Sequence, residues 1–220
     1  MATIHVPAGV VQLPGELILP PQARGLVLFA HGSGSSRFSV RNQFVARALE
    51  ARGLGTLLMD LLTPEEEDID RQTAHLRFDI PLLAGRLVAI VDWLTRQPET
   101  AALPIGLFGA STGGGAALMA AAARPADIAA VVSRGGRPDL AGAALGHVSA
   151  PTLLIVGGDD TVVIGMNRDA MRQMHCPVSL EIVPGATHLF EEPGALERVA
   201  ALAAGWFSQH LHPALTSSRP

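Results

Sequence analysis

The sequence predicts a single-domain α/β protein: a mostly parallel, twisted sheet with helices on both faces and no large lid. Three observations carry this expectation. Short unbroken apolar runs, such as Gly25-Leu-Val-Leu-Phe-Ala30 and Gly55-Thr-Leu-Leu-Met59, suit strands buried on both faces. Segments with apolar residues at helical spacing lie between them. The two kinds alternate along the chain, which implies right-handed crossovers between parallel strands.

Composition bounds the rest. The 220 residues suit one domain with a substantial core. Apolar residues make up 48% and charged residues 16%, so the chain is globular rather than disordered. A net charge of −4 without a basic patch argues against a nucleic-acid partner. The single cysteine, Cys176, excludes an intrachain disulfide, and no zinc-type spacing accompanies it. No apolar run approaches the roughly 20 residues that span a bilayer, and the first residues do not read as a secretory signal. The expectation is a cytoplasmic protein without a membrane partner.

In chain order, residues 4 to 20 alternate loosely and are punctuated by Pro7, Pro14 and Pro20, which suggests antiparallel edge strands. The run ending at Ala30 leads into His31-Gly-Ser-Gly-Ser-Ser-Arg37. Phe44, Val45, Ala48 and Leu49 mark a helix over 40–52, stopped at Gly53. Gly55 to Met59 is the next strand, and the charged stretch 63–79 reads as a loop or short surface helix. Leu83, Leu87, Ile90, Val91 and Leu94 mark a helix ended by Pro98. A strand starts at Ile105, a helix of small residues runs from Gly113 to Ala123, and strands follow over 128–132, 151–156 and 178–183. A helix is expected over 166–174 and a closing one from Pro193 through Trp206. Residues 1–212 are read as the domain and 213–220 as a frayed tail.

The chemistry gathers at the strand-to-helix junction Gly109-Ala110-Ser111-Thr112-Gly113, a G-x-S-x-G pentapeptide of the nucleophile-elbow kind. A serine on so sharp a turn is exposed and strained, and side chains at the flanking glycines would collide with the turn. The helix that follows aims unpaired N–H groups at any negative charge forming beside Ser111. A serine hydroxyl needs a base, and the base needs an acid to hold its tautomer. His188 and Asp160 can fill those roles. Ser111, Asp160, His188 and His31 all stand just past the ends of predicted strands, where open α/β sheets bind ligands.

With the loop His31-Gly-Ser-Gly, the elbow, Val-Gly-Gly-Asp-Asp-Thr-Val-Val and Pro-Gly-Ala-Thr-His188-Leu-Phe in view, the chain resembles an α/β-hydrolase. It is most similar to the small dienelactone hydrolase-like branch, over nearly its whole length. The resemblance implies Ser111 as nucleophile, His188 as general base and then acid, and Asp160 as the orienting carboxylate. Asp160 is preferred to Asp159 because Gly157 and Val163 align with it in G-x-x-D-x-x-V. The resemblance places the oxyanion hole at the backbone N–H groups of Thr112 and Ser33. Dienelactone hydrolases proper carry cysteine where Ser111 stands, so what is implied is the scaffold and ester-type acyl transfer, as in a carboxylesterase. Members of this branch also occur joined to a phosphoribosyltransferase domain, which is not read in these residues.

The reaction needs no cofactor, and the His210 and His212 pair lacks other ligands, so no metal is assigned. His31 is read as ordering the oxyanion loop. Arg134 and Arg37, in loops on the catalytic side, are candidates to hold a substrate carboxylate by paired hydrogen bonds. The partner expected is a small ester, and the chain is open to being a monomer or a homodimer. Thioester cleavage or acyl transfer would use the same residues. The reading from another class is a ligand-binding protein with a spent site.

Overall fold

Eight strands form one sheet in the computed structural model of the chain, which describes residues 3–212. The expected tail, 213–220, lies outside the described residues. The strands are β1 (Thr3–Ala8), β2 (Val11–Ile18), β3 (Leu26–Ala30), β4 (Gly55–Met59), β5 (Ile105–Ala110), β6 (Ile128–Arg134), β7 (Thr152–Gly157) and β8 (Val178–Val183). Their order across the sheet is β1-β2-β4-β3-β5-β6-β7-β8. The first two pairings are antiparallel and the remainder parallel. Every residue of β3, β4, β5 and β7 is buried, which is why these segments read as continuous apolar runs. Edge strand β8 is mostly half-buried and carries Ser179 and Glu181.

The helices are α1 (Val40–Glu50), α2 (Pro64–Thr73), α3 (Ile80–Leu94), α4 (Thr112–Ala123), α5 (Thr161–Met171) and α6 (Ala195–His210). They divide the core in two. Leu83, Leu87, Ile90, Val91 and Leu94 of α3 pack with Ala116, Ala117 and Leu118 of α4 on one face. Val45 and Leu49 of α1 pack with Val199, Ala203 and Phe207 of α6 on the other. No helix among the described residues is long and apolar enough to cross a membrane.

The chain leaves β3 toward β4 through α1, then crosses back through α3 to β5. The direction of winding therefore reverses between β3 and β5, and the loops beyond their carboxyl ends diverge there. That crevice is where such sheets bind ligands.

One expectation of the element assignment is revised. The helix expected over 166–174 spans Thr161–Met171. Thr161-Val-Val-Ile is β-branched and disfavours helix locally, but Val163 and Ile164 bury against Val156, so packing overrides propensity. The stretch 138–147, unassigned in the sequence reading, forms 3₁₀ turns broken at Gly142, with Pro138, Ala141 and Leu145 buried. The charged stretch 63–79 contains α2, whose Thr63 and Glu66 close a reciprocal capping box.

Candidate active site

Ser111 sits between β5 and α4 with φ +50° and ψ −121°, a strained conformation for a residue with a side chain. Its surroundings enforce the turn. A Cβ on Gly109 would lie 2.5 Å from the Gly113 carbonyl oxygen, and one on Gly113 would lie 2.3 Å from that of Ala30. Only glycine lets the elbow, α4 and the end of β3 approach this closely.

The loops after β7 and β8 bring in the other two groups. A Cβ on Gly157 would lie 2.4 Å from the Ala186 carbonyl oxygen, so glycine permits the two loops to touch. Phe190, buried in the core with φ +56°, anchors the loop that carries His188. His188 Nδ1 is 2.7 Å from Asp160 Oδ2, and His188 Nε2 is 3.3 Å from Ser111 Oγ. With Nδ1–H donating to the carboxylate, the Nε2 lone pair faces the serine hydroxyl, the tautomer a general base requires. Asp159 is exposed, and its backbone N–H donates to Ala186 O.

The N–H groups of Thr112 and Ser33 have no hydrogen-bond partner among the described residues. The Ser33 loop lies against Ser111: a Cβ on Gly32 would sit 3.1 Å from Ser111 Cβ. His31 holds that loop in place. Its Nε2 accepts from the Leu61 N–H at 3.1 Å, so its Nδ1–H donates to the Gly32 carbonyl at 3.0 Å. The ring is 7% exposed, and burial holds its pKa below the ordinary histidine value.

A cavity of about 220 Å³ opens beside Ser111 and His188, lined also by Ser33, Arg134 and the first turn of α1. Arg134 ends β6 opposite Ala110, and its carbonyl accepts from the Ser111 N–H. Its guanidinium lies 5.9 Å from the centre of the Phe190 ring, and burial lowers its pKa to about 10, with Arg41 adding repulsion. Arg37 stands elsewhere, which corrects its pairing with Arg134. Its guanidinium is taken by Asp60, stacks 4.1 Å from the centre of the Phe38 ring, and lines a separate depression with Leu62 and Glu67. A carboxylate supplied by the end of β4 neutralises it, something its position in the sequence did not signal. Arg41 and Asn42 were missed for a related reason. They fall on a helix, and only the fold turns that first turn toward Ser111.

The dienelactone hydrolase family model matches residues 21–210. The chain belongs to this family. A dienelactone hydrolase from Anabaena variabilis is 62% identical and superposes with a TM-score of 0.95, over 96% of this chain and 98% of that one. Est1E from Butyrivibrio proteoclasticus, at 17% identity and a TM-score of 0.78 over 95% and 98% of the two chains, shares the fold. Two Mycobacterium tuberculosis proteins with the provisional name phosphoribosyl transferase are 59% identical over 208 residues. That match covers 94% of this chain but 46% of theirs, so the chain spans about half the length of these relatives.

Proposed function

We propose that the protein is a serine-dependent hydrolase of small carboxylic esters. The observation that carries the reading is the hydrogen-bonded line Asp160, His188, Ser111, with the unpaired Thr112 and Ser33 amides beside it. Ser111 Oγ attacks the ester carbonyl as its proton passes to His188 Nε2. Asp160 stabilises the imidazolium, and the two amides receive the oxyanion, each such donor being worth about 3 to 4 kcal/mol. His188 then protonates the leaving alcohol, and a water activated by the same histidine frees the acid from Ser111. A cavity of about 220 Å³ is smaller than most drug-sized pockets, which supports short acyl and alcohol groups.

The test is hydrolysis of p-nitrophenyl acetate and butyrate by wild type, Ser111→Ala and His188→Ala, with labelling by a fluorophosphonate. Turnover and stoichiometric labelling in wild type, both lost in Ser111→Ala, are expected. No turnover of any ester or thioester and no labelling would sink the reading in favour of a ligand-binding protein.

A further inference from the structure

Resting on the hydrolase reading above, the floor of the same cavity holds a group that ester cleavage does not use. Arg134 is 7% exposed, its Nε has no hydrogen-bond partner among the described residues, and no carboxylate pairs with it there. Its sole polar side-chain contact among the described residues is a long one, 3.5 Å from Nη2 to Asn42 Oδ1. A buried guanidinium in this state has its desolvation uncompensated, a condition that a bound anion relieves.

The neighbours point the same way. The first turn of α1 lines the cavity with Ser39, Arg41 and Asn42, and a helix N-terminus adds positive potential and free amides. The Arg41 Nε is also buried without a partner among the described residues, while its Nη1 reaches the exposed Glu191 at 3.0 Å. Ser33 and Ser35 complete the wall, and no acidic residue among the described residues lines the cavity. Donors thus come from three directions: the end of β6, the first turn of α1 and the loop after β3. A planar carboxylate offers two oxygens to such a set, whereas a phosphate group offers three, spread tetrahedrally, and up to two charges.

We propose that Arg134, Arg41 and the first turn of α1 form a subsite for a phosphate monoester borne by the ester substrate. The phosphate is a handle and stays intact. The bond that breaks is the acyl C–O bond: the acyl carbon passes to Ser111 Oγ, the alcohol leaves with the proton carried by His188, and water then takes the acyl group.

The experiment has two arms. Calorimetric titration of inorganic phosphate, and separately of acetate, into wild type and Ser111→Ala measures the subsite without turnover. Expected is one phosphate per chain in both proteins, bound more tightly than acetate. Affinity should fall about 10- to 100-fold in Arg134→Gln, as loss of charge-assisted hydrogen bonds predicts, and also fall in Arg41→Gln. Arg41 is partly exposed, so its variant carries the test if Arg134→Gln does not fold. No phosphate binding, binding unchanged in the arginine variants, or equal affinity for acetate overturns the subsite.

The second arm compares kcat/KM for two acetate esters of one small diol, with the second hydroxyl free or phosphorylated. Preference for the phosphorylated ester, lost in the arginine variants, supports the assignment. Preference for the neutral ester shows that free phosphate, not substrate, occupies the site, and overturns it. If phosphate binds as expected while neither ester is cleaved and the p-nitrophenyl esters, thioesters and fluorophosphonate labelling fail as well, the hydrolase reading fails and the anion subsite stands.

Discussion

Asp160 occupies the N-cap position of α5, yet its side chain does not cap that helix. Its Oδ2 is committed to His188 instead, at the expense of a common source of helix stability. Asp160→Asn therefore tests role against structure. An asparagine amide can donate to Nδ1 and hold the wrong tautomer, so kcat on p-nitrophenyl acetate should fall about 10⁴-fold while the melting temperature stays nearly unchanged. Asp159→Asn, at an exposed position, should leave kcat within a few fold in the same assay. Residue types and spacing marked Ser111, Asp160 and His188 because each chemistry demands one side chain just past a strand end. The arginines were less legible, because a guanidinium's partner is a matter of tertiary neighbours. Asp60 claims Arg37, and no carboxylate among the described residues claims Arg134.

Two kinds of glycine separate at the level of elements. Gly113 lies in the first turn of α4, where a Cβ would meet backbone oxygen at 2.3 Å, so Gly113→Ala must push the helix off β3. We expect a loss of stability of at least about 1 to 3 kcal/mol in urea unfolding, with activity lost as well. Gly85, Gly165 and Gly205 lie on exposed faces of α3, α5 and α6 with nothing within 4 Å of an added Cβ. Alanine at each should add about 0.5 to 1 kcal/mol. The triple variant should melt several degrees higher with unchanged esterase activity. Element positions were largely readable where burial on both faces makes a strand continuously apolar, as in β3 to β5. The start of α5 was not, since Thr161-Val-Val-Ile favours strand and only its packing on Val156 makes it helix.

For the molecule as a whole, stability against pH follows from groups whose folded pKa values are displaced. Burial lowers His31, and burial together with His212 lowers His210. The unfolded chain takes up protons at about pH 6.5 while the folded chain does not, so their contribution is present above that pH and lost as pH falls below it. Burial alone would raise Asp70, but Arg77 and the Leu76 and Arg77 amides hold it below 3.8. Its contribution therefore persists until the solution is more acid than that value. The melting temperature should decline in two stages on acidification. His31→Gln should flatten the first stage, which sets in below about pH 6.5, without removing it, since His210 remains, and should leave the acid stage in place. A first stage as steep in the variant as in wild type would exclude His31 as a source.

Within the same frame, the alternation of buried strands and amphipathic helices set the α/β architecture. The elbow glycines and the residues proposed as nucleophile, acid and base were likewise picked out from sequence, because backbone strain and proton transfer each tolerate few residue types. Which arginine lines the cavity beside Ser111, which histidine nitrogen faces Asp160 and what the first turn of α1 points toward were decided only by the tertiary structure. Those outcomes depend on partners 28 to 92 residues apart in the chain, such as Asp160 with His188 or Asn42 with Arg134.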